Sequence, residues 1–340
     1  MQYGANSMAY QILNPGMELW FSQHHDVVIG YVRAAGYVVV AGEPIGDITQ
    51  LNQVVHEFSC AMQPTPICYF GAEHAFAQRI TTTHSEMVWL GLQPWWQPET
   101  WIQRTQTKSS LRALRSVARR RGVHIRWLDE QTAFADLEAC LLRWLEHRRM
   151  PPLHFVLESH TLAHVTDRHV CVAYHGDVVV GYVVASPIVL QRGWMIEQVV
   201  RSPDAPKGTT ELLLDAMVHR LVSTGAASVT LGLAPLSQAR DAPSRYAPWH
   251  IRMSMRVVRL FGQFFYNFVG LDRFKAKFLP ERWDAIYAVT PGRAVSLWTL
   301  YAIAQAFCGV SPLVFLPWAM WHRSRQVLLR SISMSRRNRS

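Results

Sequence analysis

The sequence predicts an α/β fold, and three stretches carry the prediction. Residues 27–92 read as strand, strand, helix, strand, helix, strand. Residues 194–233 read as a strand, a Pro/Gly-rich loop, a long helix and a returning strand. Between them, residues 107–122 form an amphipathic helix with one apolar and one basic face. Two-residue and 3.6-residue hydrophobic periods that alternate in this way belong to sheets flanked by helices.

In chain order, Glu18–His25 reads as a short helix or the entry to a strand. Val27–Arg33 and Tyr37–Ala41 are strands joined by Ala34-Ala35-Gly36, a hairpin signal. A helix follows over Ile48–Cys60, with Leu51, Val54, Val55 and Phe58 on one face. Ile67–Phe70 is a strand, Gly71–Arg79 a helix and Met87–Leu92 a strand. The helix over 107–122 has Leu111, Leu114, Val117 and Ala118 on its apolar face and ends at Gly122. His124–Leu128 is a strand and Ala133–Arg148 a helix. Val170–Tyr174 and Val178–Ser186 make a hairpin across His175-Gly176-Asp177, with Asp167-Arg168-His169 before it as loop. Trp194–Val200 is a strand, Thr209 and Thr210 open a helix that Gly225 ends, and Ser228–Leu233 returns as a strand. Arg256–Phe268 reads as an apolar helix and Asp284–Val289 as the last strand.

With 340 residues the chain has room for two ordinary domains, and its 49% hydrophobic content supports a sizeable core. The formal net charge is +10 and the pI about 9.7, which favours an anionic partner such as nucleic acid or an acidic membrane surface. Five scattered cysteines with no C-x-x-C pair read as reduced thiols of a cytosolic setting. Fifteen histidines form neither H-E-x-x-H nor a tight Cys/His cluster, so the sequence offers no metal site. No basic-then-apolar signal peptide opens the chain.

The loop Ser202-Pro203-Asp204-Ala205-Pro206-Lys207-Gly208 sits at a helix start, where free N–H groups and the positive dipole end suit an anionic or carbonyl-bearing ligand. The alternative is a tight turn shaped by Pro and Gly. On the helix over 107–122, Lys108, Arg112, Arg115 and Arg119 fall on one stripe. A row of that kind neutralises phosphates of a tRNA backbone or of lipid headgroups, unless it is only a solvated face.

Four collinear motifs carry a family resemblance. They are YVVVAGEPIGD at 37–47, SSLRALRSVARRRGV at 109–123, RSPDAPKGTTELLLDAM at 201–217 with LGLAPLS after it, and GLDRFKAKFLPERW at 270–283 with Tyr287. Over roughly residues 30–290 the chain resembles the C-terminal catalytic domain of the phosphatidylglycerol lysyltransferases. The β-β-α-β-α-β order likewise resembles the acetyltransferase-like (GNAT) fold. The resemblance implies two tandem GNAT-like units, mixed sheets flanked by helices. The expected units are 1–106, a basic connecting helix 107–122, a catalytic unit 123–292, an apolar membrane-associated segment 293–322 and a basic tail 323–340.

The implied reaction moves an aminoacyl group from the 3′ ester of aminoacyl-tRNA to a lipid hydroxyl. The ester is already activated, so no cofactor, metal or covalent enzyme intermediate is demanded. Placement of the alcohol, donors for the oxyanion and a proton acceptor are. The resemblance places Glu197, Gln198, Arg201, Pro206, Gly208, Thr209 and Glu211 around the aminoacyl end. Glu197, Arg201 and Glu211 are the catalytic candidates, and either glutamate is suited to hold the ammonium of a cationic aminoacyl group. Lys275 and Lys277 are candidates for phosphate contact. Glu211 is equally suited to capping the first turn of its helix. The family often has an acid just before the strand-end arginine where this chain has Gln198, which leaves the amino acid open. An acyltransferase of the same fold that uses acyl-CoA is a second reading, weakened because Arg201 is followed by Pro203, Pro206 and a single glycine. A non-catalytic membrane-bound binding protein is a third.

Residues 294–321 hold no charged residue, 28 in a row, with Trp298, Tyr301, Trp318 and Trp321 toward the ends and six arginines following. A tRNA-using domain and a basic tail both belong on the cytoplasmic side, so the segment is expected as a hairpin or an in-plane helix broken at Gly309, Pro312 or Pro317. The expected location is the cytoplasmic face of the bacterial inner membrane, with an anionic phospholipid surface as partner.

Overall fold

The computed structural model describes residues 3–81, 86–128, 134–147, 155, 161–163, 165–237, 268–309 and 311. The strands are β1 (Glu18–Phe21), β2 (Val27–Ala34), β3 (Tyr37–Ala41), β4 (Ile45–Gly46), β5 (Ile67–Glu73), β6 (Glu86–Trp96), β7 (Val123–Trp127), β8 (His169–His175), β9 (Val178–Ile188), β10 (Gly193–Arg201), β11 (Ser228–Thr230), β12 (Ala234–Pro235) and β13 (Arg282–Thr290). The helices are α1 (Leu51–Ala61), α2 (His74–Ile80), α3 (Pro98–Thr107), α4 (Ser109–Arg120), α5 (Phe134–His147), α6 (Thr209–Ser223), α7 (Phe268–Ala276) and α8 (Leu297–Cys308).

All these strands join one mixed sheet, in the order β1-β2-β3-β5-β13-β6-β11-β10-β9-β8-β7, with β4 on β2 and β12 on β6. Each half begins as an antiparallel meander and then makes one parallel pair. In the first half β3 pairs β5 across the α1 crossover, and in the second β10 pairs β11 across α6. The expected hairpin turn is present, with Ala35 and Gly36 both at positive φ, the geometry that matches the twist of the flanking strands. Every residue of β3 is buried, as its unbroken apolar run requires of a strand covered on both faces.

The last strand departs from the expected division. β13 falls within the expected unit 123–292, yet it pairs β5 on one side and β6 on the other, both from the first. The sheet therefore runs without a break through the boundary read at 107–122. It is also strongly curled. The 3₁₀ turn Ala9–Leu13 packs on β2 and β3 and also on β9. Those strands stand so far apart in the sheet order that, at about 4.8 Å per strand, a flat sheet would hold them about 30 Å apart. The N-terminal segment thus lies in the concave interior, where Leu190 N–H donates to the Gly4 carbonyl at 3.0 Å.

Three further elements differ from expectation. The strand after α6 ends at Thr230, because Gly232 at φ +71° turns the chain before β12. Helix α3 has no counterpart among the expected elements; Pro98 opens it in its first turn, where a missing N–H costs nothing. The uncharged run 294–321 does not start as a membrane span. Its described part is α8, opened by a Ser296–Thr299 capping box and closed by Gly309 at φ +67°. Ala302, Ile303 and Ala306 are buried against the core of the first half, beside Phe70 and Phe307. Among the described residues no helix is long and apolar enough to cross a membrane. The rest of that run, the basic tail and nearly all of the helix expected over Arg256–Phe268 lie outside the described residues.

Candidate functional site

Two of the four motifs, with a residue just before a third, converge on one place. Lys108, the N-cap of α4, Glu211 in the first turn of α6 and Lys277 after α7 meet there. Lys277 Nζ is ion-paired with Glu211, and Lys108 Nζ donates to the Lys277 carbonyl at 2.8 Å. The ammonium of Lys277 also lies over the rings of Phe274 and Phe278, 4.7 and 5.1 Å from their centroids. The closing motif is held by consecutive carbonyls. Lys108 takes that of Lys277, Trp96 Nε1 that of Phe278 at 2.9 Å, and Arg104 that of Leu279 at 2.9 Å. Trp101 stacks on Phe278 at 4.7 Å. Lys108, which reads as part of a phosphate row, thus helps to seat Phe278 and its neighbours.

The loop before α6 is packed rather than open at its glycine. Gly208 is at φ +95°, and a Cβ there would stand 1.9 Å from the Leu114 carbonyl of α4. The glycine is needed for helix-on-loop contact. Thr209 is fully buried and donates to the Pro206 carbonyl at 2.7 Å, and Pro206 is itself buried. Arg201 is exposed and reaches the Ala205 carbonyl at 3.4 Å, leaving it at the loop's mouth.

The basic stripe divides. Arg115 points inward, 6% exposed, ion-paired with buried Asp215 of α6 and donating to the Thr105 carbonyl at 3.2 Å. It is an interhelical tie, outside any nucleic-acid contact. Arg119 lies 3.7 Å from the same Asp215 but is largely exposed, as is Arg112. Arg120, Arg121 and Arg126 extend the exposed cations beyond the stripe.

Lys275 turns away from the surface. It is buried, and its Nζ donates to the carbonyls of Gly232 at 2.7 Å and Leu233 at 2.8 Å. Burial depresses its pKa to about 7, against the opposing pull of Asp272. A neutral amine has two N–H groups, which matches those two acceptors. Lys275 therefore holds the turn after β11 and has no route to a lipid phosphate in this arrangement.

Glu197 and Gln198 lie elsewhere, on β10. Glu197 is the extra residue of a β-bulge, since Ile196 faces Ala185 and Gln198 faces the next residue, Val184. Its side chain is 3% exposed and paired with Arg168 at 2.7 Å, whose side chain is 0% exposed. Ser186 Oγ donates to it, and so does Gln11 Nε2 at 3.3 Å. Burial raises the Glu197 pKa, with Arg168 the main opposing influence. Gln198 is buried. Arg168 also donates to Asn14 Oδ1 at 3.3 Å and lies over the Tyr10 ring, whose hydroxyl donates to Asp167 at 3.0 Å. Burial and that contact with Asp167 push the tyrosine up to about 12. Tyr10, Gln11, Asn14 and Arg168 escaped the sequence reading; the one signal was a charged Asp167-Arg168 pair entering a strand, easily taken for loop. Among the described residues no group of three or more His, Cys, Asp or Glu is placed to hold a metal ion.

Residues 1–290 match the family described as phosphatidylglycerol lysyltransferase, C-terminal. The chain belongs to that family. Members of the phosphatidylglycerol lysyltransferase family are aminoacyltransferases, and the protein is an enzyme of that class. A putative lysylphosphatidylglycerol synthetase C-terminal domain from Agrobacterium fabrum has a similar structure, with a TM-score of 0.75 at 19% identity, covering 90% of this chain and 93% of that one. L-PGS from Bacillus licheniformis gives 0.70 at 18% identity, over 84% of this chain and 87% of the other. A conserved protein of unknown function from Bacteroides thetaiotaomicron gives 0.52 at 8% identity, over 83% and 88%. At these identities the likeness is one of fold. A comparison with curated protein sequences finds no match.

Proposed function

We propose that the enzyme transfers an amino acid from aminoacyl-tRNA to phosphatidylglycerol at the cytoplasmic face of a bacterial membrane, without a cofactor. The observation that carries this reading is the family match over residues 1–290, together with the meeting of Glu211 and Lys277 from two of its motifs with Lys108, just before a third. The lipid hydroxyl oxygen attacks the ester carbonyl. A bond forms between that oxygen and the acyl carbon, the ester bond to the tRNA ribose breaks, and the hydroxyl proton ends on the released ribose oxygen. Arg201 and Lys277, at either side of the loop before α6, are the cations we assign to phosphate oxygens, and the exposed arginines of α4 to the tRNA backbone. We read the parallel pairs β3·β5 and β10·β11 as the centres of two tandem GNAT-like units that share β6 and β13.

The test uses purified protein, phosphatidylglycerol vesicles and a mixture of radiolabelled aminoacyl-tRNAs, with label measured in the lipid extract. RNase-sensitive label is the expected result and identifies the amino acid. Absence of label while the protein still sediments with the vesicles would overturn the reading.

A further inference from the structure

Helix α8 follows the part of the chain that the family match covers, residues 1–290, so the match supplies no role for it. At 3.6 residues per turn its side chains divide into two faces. Thr299, Ala302, Ile303 and Ala306 point inward and are buried where the helix packs on β2 and β3. Leu297, Trp298, Tyr301, Ala304, Gln305 and Cys308 point the other way, exposed or half-buried, within an arc of about 120°. None of the 12 residues of the helix is charged, whereas a helix face turned to water ordinarily carries charge. Leu297 and Trp298 are each 58% exposed. The Trp298 ring stacks on Tyr301 with centroids 4.9 Å apart, its Nε1 donates to the Ala35 carbonyl at 2.9 Å, and the Tyr301 and Ser311 hydroxyls are 2.7 Å apart. With both polar tips satisfied within the chain, what the two rings offer outward is apolar surface.

The patch continues across the sheet. β1 is the edge strand next to β2, with Leu19 opposite Gly30 and Phe21 opposite Val28. A Cβ on Gly30 would meet Ile12, and Ile12 and Val28 pack with the core that also holds Ala302 and Ile303. Cross-strand partners share a face, so Leu19 and Phe21 stand on the α8 side of the sheet. Both are exposed, Phe21 by 64%. Arg293 is exposed just ahead of α8, and Glu86, the acid beside it, accepts from the Val295 N–H at 2.9 Å. The sequence after Gly309 stays uncharged to Trp321, and residues 322–340 then hold six arginines and no acid. Large apolar side chains exposed as a group mark a contact surface, and the charge selects its partner. A second copy of this chain would bring the same arginines against its own. A bilayer of anionic lipid takes both the apolar side chains and the cations.

We propose that the outer face of α8, together with Leu19 and Phe21 of β1, seats the protein on the surface of an anionic bilayer. The helix lies along that surface with its inner face still packed on β2 and β3, so this contact needs no membrane-spanning helix. Phe21, Leu297 and Trp298 enter the headgroup boundary while the nearby arginines meet lipid phosphates, which makes binding depend on both anionic lipid and salt. Choosing a bilayer as the partner rests in part on the transferase reading above, whose acceptor is a bilayer lipid.

The test is hydroxyl-radical footprinting of the full chain, free, with phosphatidylcholine vesicles, and with vesicles that also contain phosphatidylglycerol, alongside sedimentation of the same vesicles. Phe21, Leu297 and Trp298 are expected to oxidise readily in the free protein and to be shielded when it sediments with the anionic vesicles. Phe21→Gln/Leu297→Gln is expected to bind those vesicles at least about tenfold more weakly with an unchanged unfolding midpoint, since burying one large apolar side chain already supplies that factor. Shielding in the free protein would overturn the surface, and analytical ultracentrifugation would then tell a second copy from cover by residues 310–340. Oxidation that persists in vesicle-bound protein, a folded variant with undiminished binding, or no sedimentation with the anionic vesicles would overturn it too. The footprint is read on the wild type, so it decides even where the variant does not fold. The lipid-extract assay separates the two claims. Labelled lipid without shielding sinks the surface alone, and shielding without labelled lipid sinks the transfer reading alone.

Discussion

Lys275 shows how one residue can carry a motif and have a role other than the one its charge suggests. Its amine sits between the Gly232 and Leu233 carbonyls with its pKa depressed to about 7. In the unfolded chain the amine titrates near its ordinary value of about 10.4. Between those values the unfolded state binds more protons than the folded one, so this group makes folding more favourable as pH rises from about 7 toward 10, by at most about 1.4 kcal/mol per pH unit. Lys275→Met lacks that contribution and leaves two carbonyls without donors. Urea unfolding at pH 7, 8 and 9 is expected to show the gap between wild type and variant widening with pH, and a constant gap would show that the amine stays charged. The same scale explains why several site residues resisted sequence reading. Glu197 and Glu211 read from the sequence as acids of the chemistry-bearing stretch, but nothing in a linear sequence says that Arg168 and Lys277 neutralise them. Partnering across 29 or 66 positions is set by the sheet and the helix docking, beyond the reach of local spacing.

At the scale of elements, α4 is placed by the loop before α6, and Gly208 is the contact that permits it. A Cβ at this position would overlap the Leu114 carbonyl, and the backbone is at φ +95°, so Gly208→Ala meets both a clash and a strained conformation. The expected cost is about 2–4 kcal/mol, read as a lower unfolding midpoint, with the α4 docking lost first. The helix also makes a separable prediction about nucleic acid. Arg112 and Arg119 are exposed, whereas Arg115 is spent on Asp215 and Thr105. Replacing both exposed arginines by Ala is expected to reduce the slope of log affinity for tRNA against log salt by about 1.5, two phosphate contacts' worth, while leaving stability nearly unchanged. Arg115→Ala is expected to do the reverse, because it strands buried Asp215. Equal salt slopes for the three proteins would remove α4 from the tRNA interface. Element identity was largely legible: the β2–β3 hairpin, α1, α4, α6 and the β8–β9 hairpin all follow from period and turn chemistry. The polarity of α4 was legible only as a stripe, since a helix face that looks solvated in projection can be covered by another helix.

At the scale of the whole molecule, the sequence read as two consecutive units, and the sheet order shows what that reading could not contain. A strand's neighbours are fixed by long-range pairing, and β13 enters the first half after more than 180 residues of intervening chain. Its pairing with β6 spans its full length and its pairing with β5 runs from Ile286 to Val289, and β6 in turn contacts β11 of the second half. Without β13, β5 and β6 would each present a long apolar edge, Ile67–Phe70 on one side and Val88–Leu92 on the other, with unpaired backbone groups. The first half is therefore not a self-sufficient folding unit, whatever the repeat-like order of its strands. Residues 1–122 expressed alone are expected to be insoluble or molten, and co-expression with residues 123–340 is expected to restore a soluble, copurifying complex because β13 is supplied in trans. The full chain should unfold in one transition with coincident near- and far-ultraviolet signals. A soluble fragment 1–122 with native-like near-ultraviolet dichroism would show that the strand exchange is dispensable and that the halves are independent domains.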